Sequence, residues 1–350
     1  MRQPFPALGQ RLIAALVLVW VSVAAQAFEI EDERQFGPAD GRQLEVLSTT
    51  DISILEPVIS AWLEANPGLG LHYVMASSQE VYRAIGEEGL AFDVVISSAM
   101  DLQMKLANDG LARALPEDAM ARQPGWARWR DLLVAVAQEP VVLILSDGAL
   151  PEGTEPPRTR RELIALLRDN AERFRGKVGT YDPAVSGAGY LFAAQDARLS
   201  DTFWRLAEVM GRLDARLYCC SSDMIDDLRA GRLLVGYNVL GSYALAWGGA
   251  GSGFQIVELE DFTLTLLRTA LIPARAPDPE GAADFLRYLL SPAGQALIAE
   301  GAGLPTVEAA AFERKPHLRP IRLDPGLLAN LDAVTRRRFL EEWRAAMVQP

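Results

Sequence analysis

Short apolar runs alternate with helix-like stretches along most of this chain. After the run at 44–48, Asp51 or Ser53 can cap a helix whose apolar side chains Leu55, Val58 and Trp62 recur at helical spacing. Similar strand-like runs occur at 70–75, 92–97, 141–146, 177–181 and 233–238. This repeated strand, turn and helix order predicts an α/β fold, with a mainly parallel sheet covered by helices on both faces.

A Gly- and Pro-rich loop at 147–159 separates two series of these units. Without the leader discussed next, the chain has about 320 residues, which exceeds one ordinary domain. We therefore expect two doubly wound α/β lobes with a cleft between them.

The N-terminus has the pattern of a Sec signal peptide. Arg2 and Arg11 precede an apolar run at 12–21, which ends in Ala25-Gln26-Ala27. The run is shorter than the ~20 apolar residues of a membrane span. We expect cleavage after Ala27, a periplasmic location, and a flexible polar leader at 28–42.

The charge balance narrows the class of partner. The net charge is −12, and removal of residues 1–27 takes away two arginines and no acid, which gives about −14. Nucleic acids and anionic membranes require basic surfaces, so neither is an expected partner. We expect a monomer that binds a small solute.

Cysteine and histidine usage argues against an enzyme or a metal protein. Cys219 and Cys220 are adjacent, which leaves two readings open: a vicinal disulfide or two small buried side chains. His72 and His317 lie in no catalytic or metal-binding motif. We expect no catalytic residue, no metal and no cofactor.

Three hydroxyl-bearing loops follow strands at the edge where α/β sheets bind ligands. They are Thr49-Thr50-Asp51, Ser97-Ser98 and the segment DPAVSGAGY, which contains Ser186, Gly187 and Ala188. Each also suits a helix N-cap, and helix starts favour anions. The loops are expected to converge on one cleft. After the last strand of the second lobe, Tyr237, Asn238 and Tyr243 are further candidates for contact with a polar ligand.

Several of these segments together resemble the periplasmic solute-binding components of ABC importers. The resemblance is to the type II group within extracellular solute-binding protein family 1, which includes ferric-iron-binding proteins and the phosphoglycerate-transport regulatory protein. It covers nearly the whole mature sequence and is carried by STTD, FDVVISSAMDLQMKLANDGLA, EPVVLILSD, DPAVSGAGY, AGRLLVGYNVLGSYA and FLRYLLSPAGQALIAEGAGLP.

The resemblance implies a type II periplasmic binding fold whose lobes are joined by crossing hinge segments near 134–144 and 262–272. It places the first lobe at 43–138 and 268–350 and the second at 139–267. It also implies that the cleft is lined by Thr50, Ser97, Ser98, Ser186, Gly187 and Tyr237. Iron-binding members have adjacent tyrosines where this chain has Leu240-Gly241-Ser242-Tyr243, so direct tyrosine ligation of iron is not expected.

We therefore predict an ABC importer's binding protein that captures a small anionic solute, such as a phosphorylated or carboxylated metabolite, and delivers it to an inner-membrane permease. Within this class, the alternative is a binder of ferric iron or an iron chelate. In a different class, the loaded protein would dock on a membrane sensor kinase.

Overall fold

The structure is a computed structural model that describes residues 28–247, 252–301 and 304–348. The predicted signal peptide at 1–27 and part of a glycine-rich turn at 247–255 lie outside the described residues. Among the residues described, no helix has the length and apolar character needed to cross a membrane.

The first lobe is built on three parallel strands. Its elements are β1 (Asp32–Phe36), β2 (Arg42–Ser48), α1 (Ile52–Ala65), β3 (Leu69–Met75), α2 (Ser78–Tyr82), a π-helical turn (Arg83–Glu87), β4 (Val94–Ser97), α3 (Met100–Asn108), β5 (Ala112–Arg113), α4 (Glu117–Met120), a 3-10 turn (Gly125–Ala127) and β6 (Arg128–Trp129). β2 lies between β3 and β4 and is parallel to both. β4 is buried along its whole length, as expected for a parallel strand covered on both faces.

The predicted flexible leader at 28–42 is wrong in its central part. Residues 32–36 form β1, which pairs antiparallel with β3 from Asp32↔Met75 to Phe36↔Leu71. β1 is an edge strand in which Phe36 alone is buried, so its sequence lacks the apolar alternation of a half-buried strand.

A second set of parallel strands forms the other lobe. Its elements are β7 (Leu133–Ser146), α5 (Arg160–Asp169), α6 (Ala171–Phe174), β8 (Val178–Tyr181), α7 (Gly187–Leu199), α8 (Thr202–Arg212), β9 (Arg216–Tyr218), α9 (Ser221–Arg229), β10 (Val235–Leu240), α10 (Gly241–Trp247) and β11 (Phe254–Val257). β8 lies between β10 and β9 and is parallel to both. β7 runs antiparallel to β10 and β11 at the inner edge.

Two long strands join the lobes. The remaining elements are β12 (Thr263–Pro273), α11 (Pro279–Leu289), α12 (Pro292–Gly301), α13 (Ala310–Arg314), β13 (Leu318–Pro320), a 3-10 segment (Pro325–Leu331) and α14 (Ala333–Met347). β12 pairs antiparallel with β4 of the first lobe and with β7, which continues into the second lobe. This confirms the type II fold class and the two crossing segments expected near 134–144 and 262–272.

The C-terminal helix departs from the predicted division into lobes. Trp343 of α14 stacks on Phe203 of α8 with ring centroids 5.9 Å apart. The last part of 268–350, which was predicted to belong to the first lobe, therefore packs on the second. Phe339, Trp343 and Met347 recur every four residues, which gives α14 the apolar stripe for this contact.

Asp101 in the first turn of α3 makes folding depend on pH. Its side chain is buried, and burial raises its pKa to about 7 from an ordinary value of 3.8. Between these values the folded protein holds a proton that the unfolded chain releases, so stability falls as pH rises from about 4 to about 7. Between pH 5 and pH 8, Asp101 should lower the free energy of unfolding of the wild type by an amount on the order of 3 kcal/mol, and Asp101→Asn should lack this decrease.

Denaturant unfolding of both proteins at pH 5 and pH 8 measures this difference. Asp169→Asn, at an exposed position on α5, is the control and should follow the wild type at both pH values. Equal pH dependence in Asp101→Asn and the wild type would contradict the prediction.

Candidate functional site

A pocket of about 150 Å³ lies between the lobes at the ends of their parallel strands. Six of the residues predicted from the sequence line it: Thr49, Asp51, Ser98, Ser186, Ala188 and Tyr243. They lie in the loops after β2 and β4, at the N-cap and start of α7 after β8, and in α10 after β10. The structure thus places these six residues around one pocket.

The two first-lobe loops are bonded to each other. The backbone N–H of Ser98 donates to Thr49 Oγ1 at 3.1 Å, and the two hydroxyl oxygens are 3.4 Å apart. Because β2 and β4 are parallel neighbours, their following loops lie side by side. Thr49 is thus held beside Ser98 at the pocket wall.

Hydrogen bonds across the pocket hold the lobes together. Tyr243 Oη donates to Asp51 Oδ1 at 2.9 Å, and the backbone N–H of Gly187 donates to Ser78 Oγ at 3.0 Å. A Cβ on Gly187 would lie 2.7 Å from Ser78 Oγ and 2.9 Å from Leu102 Cδ1. A glycine is therefore required for this close approach, and the structure is a closed arrangement of the lobes.

Two helix starts of the second lobe face the pocket. Ser186 caps α7 by accepting from the N–H of Gly189 at 3.1 Å. At the start of α9, Ser221 Oγ lies 2.6 Å from Tyr181 Oη and accepts from the N–H of Leu240 at 3.0 Å. Serine hydroxyls and the positive ends of two helix dipoles thus lie on this side of the pocket.

The first-lobe side of the pocket is acidic. Partial burial raises the pKa of Asp51, against the opposing effects of the Tyr243 hydrogen bond and the Arg268 charge. Partial burial also raises the pKa of Glu31 at the rim, with further contributions from the charges of Asp51 and Asp223. Among the described residues that line the pocket there is no lysine, arginine or histidine. The described lining therefore has two acidic side chains and no basic one.

Tyr237 and Asn238, both predicted to contact ligand, do not line the pocket. The pairing of β10 with β7 shifts between Gly236 and Val239, and Asn238 has a φ of 63° at this bulge. Tyr237 Oη and Asn238 Nδ2 instead donate to Asp196 at 2.7 and 2.9 Å inside the second lobe. The bulge directs these side chains into the core, which corrects the expectation.

Three other predicted residues lie just outside the pocket lining. Thr50 is fully buried and accepts a hydrogen bond from Arg268, while its carbonyl accepts from Tyr73 Oη at 2.7 Å. Ser97 Oγ accepts from the N–H of Ala99 at 3.1 Å. Gly187 lines a neighbouring interlobe pocket. Thr50 and Ser97 thus stabilise the loops behind the pocket, and Gly187 contacts the other lobe.

Several further residues line the pocket that are not among those predicted from the sequence: Glu31, Met75, Ala76, Ser77, Ser78, Tyr181, Val185, Cys219, Cys220, Ser221, Ser222 and Leu240. Glu31 precedes β1, whose polar sequence was assigned to the leader. Ser77 is the N-cap of α2, and its side chain accepts from the N–H of Glu80. The position of that cap at the end of β3 was the available signal.

Cys219 and Cys220 are joined as a vicinal disulfide, one of the two readings that the sequence left open. Both line the pocket, between the end of β9 and the start of α9. The alternative of two small buried side chains is wrong, because Cys219 is exposed and Cys220 is partly exposed.

A buried ion pair between the crossing strands lies behind the pocket. Arg268 of β12 donates to Glu139 of β7 at 2.7 Å, with side-chain exposures of 1% and 0%. Arg268 also donates to Thr50, and Ser242 donates to the other carboxylate oxygen of Glu139. The pair is thus bonded to a ligand loop of each lobe.

This combination of two α/β lobes, two crossing strands and an interlobe pocket defines a solute-binding protein of the type II fold. Residues 44–303 match the family model described as bacterial extracellular solute-binding protein, and the chain belongs to this family. No curated protein is significantly similar to it in sequence.

Solved structures support the same class. The substrate-binding protein of an ABC transporter from Agrobacterium tumefaciens is 32% identical, with 90% of this chain and 98% of that one covered and a TM-score of 0.86. Iron-bound HitA from Pseudomonas aeruginosa is 16% identical, with 87% and 99% covered and a TM-score of 0.67. AfuA from Actinobacillus pleuropneumoniae, with exogenous fructose-6-phosphate bound, is 16% identical, with 89% and 100% covered and a TM-score of 0.71.

The protein is therefore the substrate-binding protein of an ABC transporter, which binds a solute and delivers it to membrane permease components. Its family is a transport family and not an enzyme class. Membership of an extracellular family agrees with the predicted periplasmic location.

Glu139→Gln tests the buried ion pair. The substitution keeps an acceptor oxygen but leaves the Arg268 charge without its counterion. Removal of one partner of a buried pair destabilises a protein by about 3–5 kcal/mol. We expect a loss of this size in the free energy of unfolding, measured by denaturant titration with tryptophan fluorescence.

Glu260→Gln is the matched control, because the Arg158–Glu260 pair is bidentate but exposed. An exposed pair contributes about 0–1 kcal/mol. If Glu139→Gln and Glu260→Gln lost similar amounts of unfolding free energy, the buried pair would contribute no more to stability than an exposed pair, and the prediction would be wrong.

Proposed function

We propose that this protein is the binding subunit of an importer for a small zwitterionic solute that carries both an ammonium group and a carboxylate. The observation that carries the proposal is the charge arrangement of the pocket. Two partly buried carboxylates face two helix starts, without a basic side chain in the described lining. The proposal keeps the carboxylated metabolite predicted from the sequence and adds a positive group.

The ammonium end is assigned to Glu31 and Asp51. The carboxylate of Glu31 accepts no hydrogen bond from the described residues, while one oxygen of Asp51 accepts from Tyr243. An ammonium group has three N–H donors and a positive charge, so it suits both carboxylates. Its charge would offset the repulsion that contributes to the raised pKa of Glu31.

The carboxylate end is assigned to the second lobe. The starts of α7 and α9 face the pocket, and the hydroxyls of Ser186 and Ser222 line it. The N–H groups of Gly187 and Gly189 already donate within the protein, so these hydroxyls and the helix dipoles would meet the carboxylate. Such helix starts bind carboxylates without a basic side chain. The pocket volume of about 150 Å³ corresponds to about five water molecules at liquid density, which restricts the solute to a small molecule.

Two other ligand classes follow from the same lining. A purely anionic solute, as predicted from the sequence, would use the helix starts but would lie close to two uncompensated carboxylates. Ferric iron has oxygen donors available in Glu31, Asp51, Tyr181 and Tyr243. Burial raises the pKa of both phenols, and each already has a hydrogen-bond partner, so iron is the second candidate.

The permease is the proposed partner in preference to a sensor kinase. The relative at 32% identity is the substrate-binding protein of an ABC transporter, and its similarity covers nearly the whole of both chains.

A matched ligand panel tests the proposal. Thermal-shift measurements would compare α- and ω-amino acids with the corresponding acids without the amine and amines without the carboxylate, and with ferric citrate and sugar phosphates. At 100 times its dissociation constant, a specific zwitterion stabilises the fold by about 2.7 kcal/mol. We expect at least one amino acid to stabilise the protein while its matched acid and amine do not. Binding only of phosphates, simple acids or iron would overturn the zwitterion assignment.

Glu31→Gln then tests the ammonium site. A hydrogen bond to a charged group contributes about 1.5–3 kcal/mol, so affinity for the amino acid found in the panel should fall about ten- to a hundredfold by calorimetry. Glu33→Gln is the control, because this nearby carboxylate is exposed and bonds to His72 away from the pocket. Equal affinities of Glu31→Gln and the wild type would show that Glu31 does not contact the ligand.

A further inference from the structure

The vicinal disulfide lies beside a third potential metal ligand. Cys219 Sγ is 3.5 Å from Asp223 Oδ2, in the first turn of α9. One ligand atom from each of Cys219, Cys220 and Asp223 can be chosen so that all three lie within 4.8 Å of one another. Cys219 and Asp223 are exposed and Cys220 is partly exposed, so a solvated ion can reach the group.

We propose that these residues form a redox-gated metal site. In the oxidised form the two sulfurs are bonded to each other and are not available as thiolate ligands. After reduction, Cys219, Cys220 and Asp223 bind one thiophilic divalent cation such as Zn²⁺. Zinc bonds to sulfur at ~2.3 Å and to carboxylate oxygen at ~2.0–2.2 Å. Breaking the S–S bond lets the two sulfurs separate around an ion, with Asp223 Oδ2 3.5 Å from Cys219 Sγ.

The electrostatic surroundings favour a cation at this position. Asp223 shares α9 with Asp226 and Asp227, and Asp51 lines the same pocket as the two cysteines. The described lining of the pocket has no basic side chain that would repel a metal ion. The site is therefore in a negative field on the same pocket wall.

The position of the cysteines also favours thiolates. Cys220 is the N-cap residue of α9, which is nine residues long. The partial positive charge at a helix N-terminus favours an anionic ligand such as a thiolate, which is the form that binds metal. Two thiolates with one carboxylate suit a zinc-like ion better than Ca²⁺ or Mg²⁺, which prefer oxygen ligands.

The reduction balances with a dithiol as the electron donor. The dithiol transfers two electrons and two protons to the S–S bond, which gives two cysteine thiols, and is itself oxidised to a disulfide. Cation binding then displaces the two thiol protons into solvent. The disulfide form thus cannot bind the metal through its sulfurs, and the dithiol form can.

Zinc titration of the mature protein tests the proposal independently of any organic ligand. One sample is reduced with a phosphine and desalted without oxygen, and a second is left oxidised. We expect calorimetry to show one Zn²⁺ per reduced molecule and at least tenfold weaker binding to the oxidised protein. Cd²⁺ should give thiolate-to-metal ultraviolet absorption in the reduced sample alone. Equal zinc affinity in the two samples would refute redox gating.

Two aspartate variants locate the site on α9. Asp223→Asn should weaken zinc binding at least about tenfold, since even outer-shell partners change metal affinity ten- to a hundredfold. Asp226→Asn removes the same charge from an exposed position outside the group, and should change affinity less than about fivefold. If both variants weakened zinc binding equally, Asp223 would act only through its charge, and its assignment as a metal ligand would be wrong.

Cys219→Ser and Cys220→Ser test the sulfur ligands directly. Each should abolish tight zinc binding and the cadmium absorption, while far-ultraviolet circular dichroism shows that the fold is retained. Tight zinc binding by both serine variants would overturn the site. Because the zwitterion panel is measured on the oxidised protein, its outcome does not decide this result.

Discussion

The arrangement of the two lobes depends on the buried ion pair between Arg268 and Glu139. These residues come from the two strands that cross between the lobes, and both side chains are almost fully excluded from solvent. Desolvation makes such a pair favourable only when its remaining donors and acceptors are satisfied. Thr50 and Ser242 provide two of these contacts, one from each lobe. Arg268 Nε has no hydrogen-bond partner among the described residues, so the pair is only partly satisfied.

The same network determines the character of the pocket. Thr50 is followed by Asp51, and Ser242 is followed by Tyr243, so the two residues bonded to the ion pair directly precede the two residues that meet across the pocket. Burial raises the pKa of Asp51, and the charge of Arg268 opposes part of this rise although Arg268 does not line the pocket. The pocket is therefore acidic at its surface while a buried cation behind it supports the ionised form of Asp51.

Much of this site could be predicted from local sequence, because parallel strands bring their following loops to one edge. That rule pointed to Thr49, Asp51, Ser98, Ser186 and Tyr243, which line the pocket. It failed at Tyr237 and Asn238, where a bulge redirects the chain, and at Glu31, which lies beside a polar edge strand. Arg268 and Glu139 are 129 positions apart in the sequence. Their pairing could be predicted only if the register between β7 and β12 were known.

The charge distribution also explains why ligand binding and lobe closure would be coupled. Glu31 and Asp51 belong to the first lobe, whereas the helix starts of α7 and α9 belong to the second. When the lobes close without a ligand, the partly dehydrated carboxylates are brought against the opposite wall. Burial disfavours their charged form, as the raised pKa values of Glu31 and Asp51 indicate. A solute with a positive end for the acids and a negative end for the helix starts contacts both walls only when the lobes meet. It therefore binds the closed form more tightly than the open form, and this difference in affinity is what can drive closure.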